Sequence, residues 1–325
     1  MNVLINELKA SLCQKWIETL YGGMVPMGEG EIVTTRLLHR VQLVDLHNAG
    51  LESWRIEIGE AGKPVWAGWT LNLLRPYGPT AVPVLASGDA CWNYINTEVM
   101  QHFVHAGVAL AWFNRVELAS DSPTCTREGP VFARFPDAGF GALSVWAWAY
   151  SRAVDALLQI PGIDPTRIGI AGHSRGGKAA LLAGATDARI ALTAANNSGT
   201  AGAASWLLQG AGSESLADLA RQFPHWLAKD IQILLDRPAT QGLDQDLLLS
   251  AIAPRQLLIT QARSDRWANP LGTQHVADRV AAHYTSLGAL EAFSLVWREG
   301  GHPMVLGDWV AVLGLKDTVL QAYKA

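Results

Sequence analysis

Cysteine is nearly missing from this chain: Cys13, Cys91 and Cys125 are all that 325 residues supply. Their positions show neither metal-ligand spacing nor a disulfide framework, so they are expected to be buried or surface thiols. A basic excess is missing too. Lys and Arg number 25 against 29 Asp and Glu, a net charge of −4, which argues against a nucleic-acid surface. No long apolar run is present. The longest uncharged stretch, residues 190–213, is broken by Asn196-Asn197-Ser198-Gly199-Thr200 and further glycines, so no membrane span is expected. No His-Glu-x-x-His cluster exists and the histidines scatter, which points away from a metal site and leaves no cofactor implied. The opening residues 1–9 lack the features of an export signal, so a cytoplasmic location is expected, or export if the chain is a trimmed mature form.

What is present is a large hydrophobic fraction, 49%, and an unusual 13 tryptophans against 7 phenylalanines and 6 tyrosines. Many of these must fill a core, but the surplus also suits a cleft with flat apolar walls. Residues 2–20 read as an amphipathic helix, with Leu4, Leu8, Leu12, Trp16 and Leu20 at four-residue steps. Residues 37–46, 54–58 and 65–74 read as an antiparallel opening to a sheet. Strand–helix alternation follows, with strands at 81–86, 108–113, 167–171, 190–194, 256–261 and 293–297. Helices are expected at 92–105, 142–158, 269–287 and 309–323. The polar stretch 114–139 reads as a long surface excursion of the kind that often carries function. Residues 203–250 hold no convincing strand and read as a helical insertion, a lid or one wall of a cleft. The pattern predicts a single α/β domain over 1–325, a doubly wound and mostly parallel sheet with that insertion.

The chemistry centres on the strand 167–171, which breaks into Gly172-His173-Ser174-Arg175-Gly176-Gly177 and resumes as a helix from Lys178. A strand turning into a helix through Gly-x-Ser-x-Gly is the nucleophile elbow of α/β-hydrolases, in which small residues flank a serine held in a strained turn. A phosphate loop is the rival, but the spacing differs and Ala179 replaces its metal-binding hydroxyl. A serine needs a base, and the base needs an orienting acid, in the chain order Ser, Asp or Glu, His. Asp265 follows the strand 256–261 and His302 follows the strand 293–297, so all three fall at carboxyl ends of strands. Asp265 could instead cap the next helix. Glu299 is a lesser candidate for the acid and better suited to a salt bridge. His173 is expected to pack beneath the elbow, and His225 with Trp226 to line the cleft from the insertion.

The run from Gly172 through Ser174, Arg175 and Gly177 to Lys178 resembles the Gly-Cys-Ser-Arg-x-Gly-Lys elbow of the glucuronoyl esterases and related acetylxylan-esterase-like α/β-hydrolases. Trp146, Trp148, Arg152, Asp155, residues 223–226 and 248–255, and the run from Asp265 through Trp267 and Pro270 to Gly272 agree with that group. The resemblance implies that the Arg175 side chain helps bind the oxyanion, which suits a charge-assisted donor aimed at a tetrahedral oxygen. It implies that Lys178 meets sugar hydroxyls or an acidic substrate group, and that Trp267 walls the sugar site. Where many members carry the acid as Glu-Ser-Gly, this chain has Asn197-Ser198-Gly199. An asparagine cannot stabilise an imidazolium by charge, which favours Asp265.

The expected function is a serine carboxylic-ester hydrolase on a sugar or uronic acid ester, with backbone donors near Gly88 and at Arg175 completing the oxyanion hole. The alternatives are a general small-ester, lactone or amide hydrolase, and, from another class, a binding protein with this fold and no turnover.

Overall fold

The computed structural model describes residues 2–78, 81–92, 94–124, 126–236, 242–315 and 317–321. Cys125 lies outside them. The strands are β1 (Glu31–Leu43), β2 (Ala49–Glu60), β3 (Ala67–Arg75), β4 (Val82–Ser87), β5 (Ala109–Phe113), β6 (Ile163–His173), β7 (Leu192–Asn196), β8 (Gln256–Ala262) and β9 (Phe293–Arg298). Among the described residues they form one nine-stranded sheet in the order β1-β2-β3-β5-β4-β6-β7-β8-β9. β1, β2, β3 and β5 pair antiparallel, and the pairs from β5 through β4 to β9 are parallel.

Side-chain patterning follows this division. β3 alternates buried and half-buried positions, with Trp69, Leu71 and Leu73 turned into the core. β4 is buried at every position, as a parallel strand covered on both faces must be. Pro83 has no N–H to give, and the β4–β6 register shifts between Val82 and Val84 around it.

The helices are α1 (Asn2–Tyr21), α2 (Thr97–His105), α3 (Pro130–Arg134), α4 (Ala142–Leu157), α5 (Arg175–Thr186), α6 (Leu216–Gln222), α7 (Gln232–Asp236), α8 (Gln245–Ser250), α9 (Pro270–Ser286) and α10 (Leu306–Leu313). The sheet separates two apolar clusters. One gathers Trp16 and Leu20 of α1 with Trp146 of α4, Leu181 of α5, Leu248 of α8 and Val276 of α9. The other joins Phe103 of α2 to Trp309 and Val312 of α10. Trp16, Trp69, Trp146, Trp226 and Trp309 are fully buried, whereas Trp92 and Trp267 are each 42% exposed. Most of the tryptophan surplus is therefore core, with Trp92 and Trp267 the exposed rings.

Two expected helices are shorter than the sequence suggested. The first begins at Thr97, where the Asn96 side chain accepts the Val99 N–H at 3.0 Å, and residues 90–92 form a separate single turn. The last stops at Gly314, whose N–H closes on the Val310 carbonyl at 2.8 Å. The insertion holds α6, α7 and α8, with no named strand among its described residues. Its Trp206, Leu216, Leu219, Trp226, Leu234 and Leu248 belong to the same cluster as α1 and α4.

No helix among the described residues is long and apolar enough to cross a membrane.

Candidate active site

β6 delivers the chain into the elbow, and Ser174 sits there at φ 53° and ψ −119°, a strained conformation for an L-residue. The turn is clamped on both sides. The Ser174 N–H donates to the Asn196 carbonyl at 2.8 Å, and the Ser174 carbonyl accepts the Lys178 N–H at 3.0 Å. A Cβ added to Gly172 would lie 2.2 Å from the Gly176 carbonyl oxygen, and one on Gly176 would lie 2.1 Å from Asp89 Oδ1. Small residues flank the serine because the turn packs on itself and on a buried carboxylate.

The triad assembles as the order of residues suggested. Ser174 Oγ lies 3.0 Å from His302 Nε2, and His302 Nδ1 lies 2.6 Å from Asp265 Oδ2. Asp265 is 4% exposed and its Oδ1 accepts the Ala268 N–H at 3.3 Å. The cap of α9 is a different residue, Asn269, whose side chain accepts the Gly272 N–H at 3.0 Å. Glu299 stands apart, its side chain 83% exposed and 3.5 Å from Arg263, the salt bridge expected of it. Asn197 has another task than orienting the imidazole. Its Oδ1 accepts the Ala262 N–H and its Nδ2 donates to the His302 carbonyl, both at 2.8 Å, so it ties the histidine loop to the end of β8.

His173 packs beneath the elbow as expected, its Nδ1 2.6 Å from Asn196 Oδ1 and its ring centroid 4.8 Å from those of Tyr94 and His302. Burial pushes its pKa down to about 3 although the Asn196 contact acts against that. It is therefore a neutral neighbour of His302 at ordinary pH. The His302 side chain is 40% exposed, and with Trp92 and Trp267 it places the site on an open rim.

Arg175 follows the nucleophile and opens α5, so its backbone N–H is one of the groups a helix start leaves unpaired within the helix. Its guanidinium is fixed on several sides. Nη1 donates to Asp121 Oδ2 at 2.9 Å, and the guanidinium carbon lies 4.7 Å from the Trp226 ring, 5.0 Å from Trp92 and 5.2 Å from Phe223. Burial acts to raise the Asp121 carboxyl, but His225, Arg175 and Arg115 more than offset it and hold the group below the usual carboxylate value.

Four expectations change. Gly88 is not an oxyanion donor, because its N–H is given to the Tyr150 hydroxyl at 2.9 Å and that hydroxyl donates onward to the Ala171 carbonyl. His225 does not line the cleft: it is 1% exposed and sits behind Asp121, its Nε2 3.6 Å from Oδ1. Trp226 is 2% exposed, stacked on Phe223 at 3.9 Å, and donates its Nε1–H to Asp121 Oδ1 at 2.9 Å. Trp226 braces Arg175 from behind, and His225 backs Asp121. Lys178 is also covered, at 2% exposed. Its Nζ donates to Glu214 at 2.8 Å and to the Thr200 carbonyl, and burial lowers its pKa against the pull of Glu214. Trp267 is exposed, and its carbonyl accepts the Glu214 N–H at 3.0 Å, which places the Lys178–Glu214 pair next to it.

Residues 81–288 match the family model described as glucuronyl esterase of fungi. The chain belongs to the glucuronyl esterase family. Relatives within and near it include a 4-O-methyl-glucuronoyl methylesterase of Hypocrea jecorina, 34% identical over 227 residues that cover 66% of this chain and 46% of the relative. A carbohydrate esterase of an unknown prokaryotic organism is 32% identical over 198 residues, 56% of this chain and 45% of that protein. The chain thus spans under half the length of these curated relatives. Among solved structures, a glucuronoyl esterase of carbohydrate esterase family 15 from Caldicellulosiruptor kristjansonii is similar at TM-score 0.79 and 28% identity, covering 97% of this chain and 84% of that one. A glucuronoyl esterase from Solibacter usitatus shares the fold at TM-score 0.81 and 23% identity, covering 96% and 91%. The sheet of this family is the α/β-hydrolase sheet the elbow implied.

Asp121, Arg115 and Glu214 escaped the sequence reading. Asp121 left one signal, its place in the excursion 114–139. Arg115 shares that excursion and Glu214 falls in the insertion 203–250, but their partners lie 26 and 36 residues away, so nothing local pairs them.

Proposed function

We propose that this chain is a serine carboxylic-ester hydrolase whose substrate is an ester of a uronic acid, with a glucuronoyl methyl ester as the simplest form. The observation that carries the reading is the continuous contact from Asp265 through His302 to Ser174 on a strained elbow. Ser174 Oγ attacks the ester carbonyl while His302 Nε2 takes its proton, and Asp265 stabilises the imidazolium. The tetrahedral oxygen is received by the Arg175 backbone N–H and guanidinium, donors already oriented before the charge develops. His302 returns the proton to the departing alcohol. Water, deprotonated in turn by His302, then releases the acid from the acyl-serine.

The substrate class is supported by the relatives' names and by the wall beside the triad. Trp267 offers an exposed ring for the face of a sugar. The buried Lys178–Glu214 ion pair anchors the segment that carries it, the Glu214 N–H donating to the Trp267 carbonyl at 3.0 Å. The open rim suits an ester whose alcohol or sugar extends beyond the site.

A panel of methyl glucuronate, acetylated sugars and nitrophenyl acetate tests the assignment. The highest kcat/KM on methyl glucuronate is the expected result. Preference for acetylated sugars or for nitrophenyl acetate rejects the uronate specificity in favour of a deacetylase or a general small-ester hydrolase.

A further inference from the structure

We propose that Asp121 is a positioning residue for Arg175, setting the guanidinium in the attitude that receives the oxyanion; this rests on the esterase reading above. Three aromatic rings, Trp92, Phe223 and Trp226, lie within 5.2 Å of the guanidinium carbon. Rings stacked on a guanidinium fix its plane but leave it free to turn within that plane. Asp121 removes that freedom. One of its oxygens takes the Arg175 Nη1–H and the other takes the Trp226 Nε1–H, each at 2.9 Å. A single carboxylate thus ties the arginine to the ring that stacks on it, and the rest of the five-donor fork stays available to substrate.

Asp121 is itself held. Arg115 is fully buried, lies 4.9 Å over the Trp146 ring, and places Nη2 3.8 Å from Asp121 Oδ2. The same arginine is ion-paired to Asp89 through Nη1. Asp89 in turn accepts the His173 N–H at 2.7 Å. The chain of contacts therefore begins on the backbone just before the nucleophile and ends on the side chain just after it. His173, Asp89, Arg115, Asp121 and Arg175 form a closed brace around Ser174. With the carboxyl held below its usual pKa range, the charge on Asp121 persists through mildly acid conditions.

The test is a double-mutant cycle on methyl glucuronate with Asp121→Ala, Arg175→Ala and the double variant, each checked for an unchanged melting transition. If Asp121 acts through Arg175, Asp121→Ala lowers kcat about 10- to 100-fold with KM within about threefold. In the Arg175→Ala background the same change then costs less than about twofold. Asp121→Asn keeps the volume but turns one of the two contacts donor to donor, so an intermediate loss is expected, and it replaces Asp121→Ala in the cycle should that variant not fold. An unchanged kcat in folded Asp121→Ala, or an equal loss with and without Arg175, overturns the proposal. Wild-type protein that turns over no ester overturns the esterase reading instead.

Discussion

Asp265 and Glu299 are the two carboxylates the sequence offers as partner to His302, and exposure separates them. Asp265 is buried against the imidazole, whereas Glu299 reaches solvent beside Arg263. Asp265→Asn should lower kcat by on the order of 10³–10⁴, as loss of the tautomer-setting acid does in other triads, while Glu299→Gln should leave it unchanged. Arg175→Ala should cost about 3 kcal/mol of transition-state stabilisation, seen in kcat with little change in KM. A rise confined to KM would assign Arg175 to substrate binding. The triad could be read from sequence because its members follow strands in a fixed order. Gly88 was misread because the hydroxyl that takes its N–H belongs to Tyr150, 62 residues on. Trp226 and His225 were misread because nothing local announces that Asp121 stands in front of them.

Elements were legible to the extent that their patterns are local. The parallel strands and the elbow sit where periodicity put them, whereas β1 runs Glu31–Leu43 against an expected 37–46, because residues 44–46 close into a single turn. In the insertion, helical spacing says which face is apolar, not what that face meets. In the structure it meets α1: Trp16 donates its Nε1–H to Gln245 of α8 at 2.7 Å. Packing at the elbow gives the sharpest element-scale prediction. Gly176→Ala drives a methyl onto Asp89, which cannot retreat because Arg115 and the His173 N–H hold it. A loss of about 2–4 kcal/mol in denaturant unfolding is expected. Gly50→Ala, with nothing within 4 Å of the added Cβ, is the control and should stay within about 0.5 kcal/mol.

For the whole molecule, the buried neutral His173 couples folding to pH. Its pKa falls from 6.5 to about 3 on folding, so on acidification the unfolded chain takes up a proton that the folded chain refuses. The contribution is complete above about pH 6.5 and is lost as pH falls toward 3. Between pH 7 and pH 5 this group alone should remove about 2 kcal/mol of stability. Urea titrations at the two pH values check it, and His173→Asn should lose less on acidification by that amount. An equal loss in both proteins would show that His173 is not the group responsible.

The central claim, that this chain hydrolyses a carboxylic ester through Ser174, is tested most directly by kcat/KM on methyl glucuronate for wild type and folded Ser174→Ala. The account predicts turnover by the wild type and a loss on the order of 10⁵–10⁶ in the variant. A variant that keeps activity within about tenfold, or a wild type that releases no methanol from the ester, contradicts it.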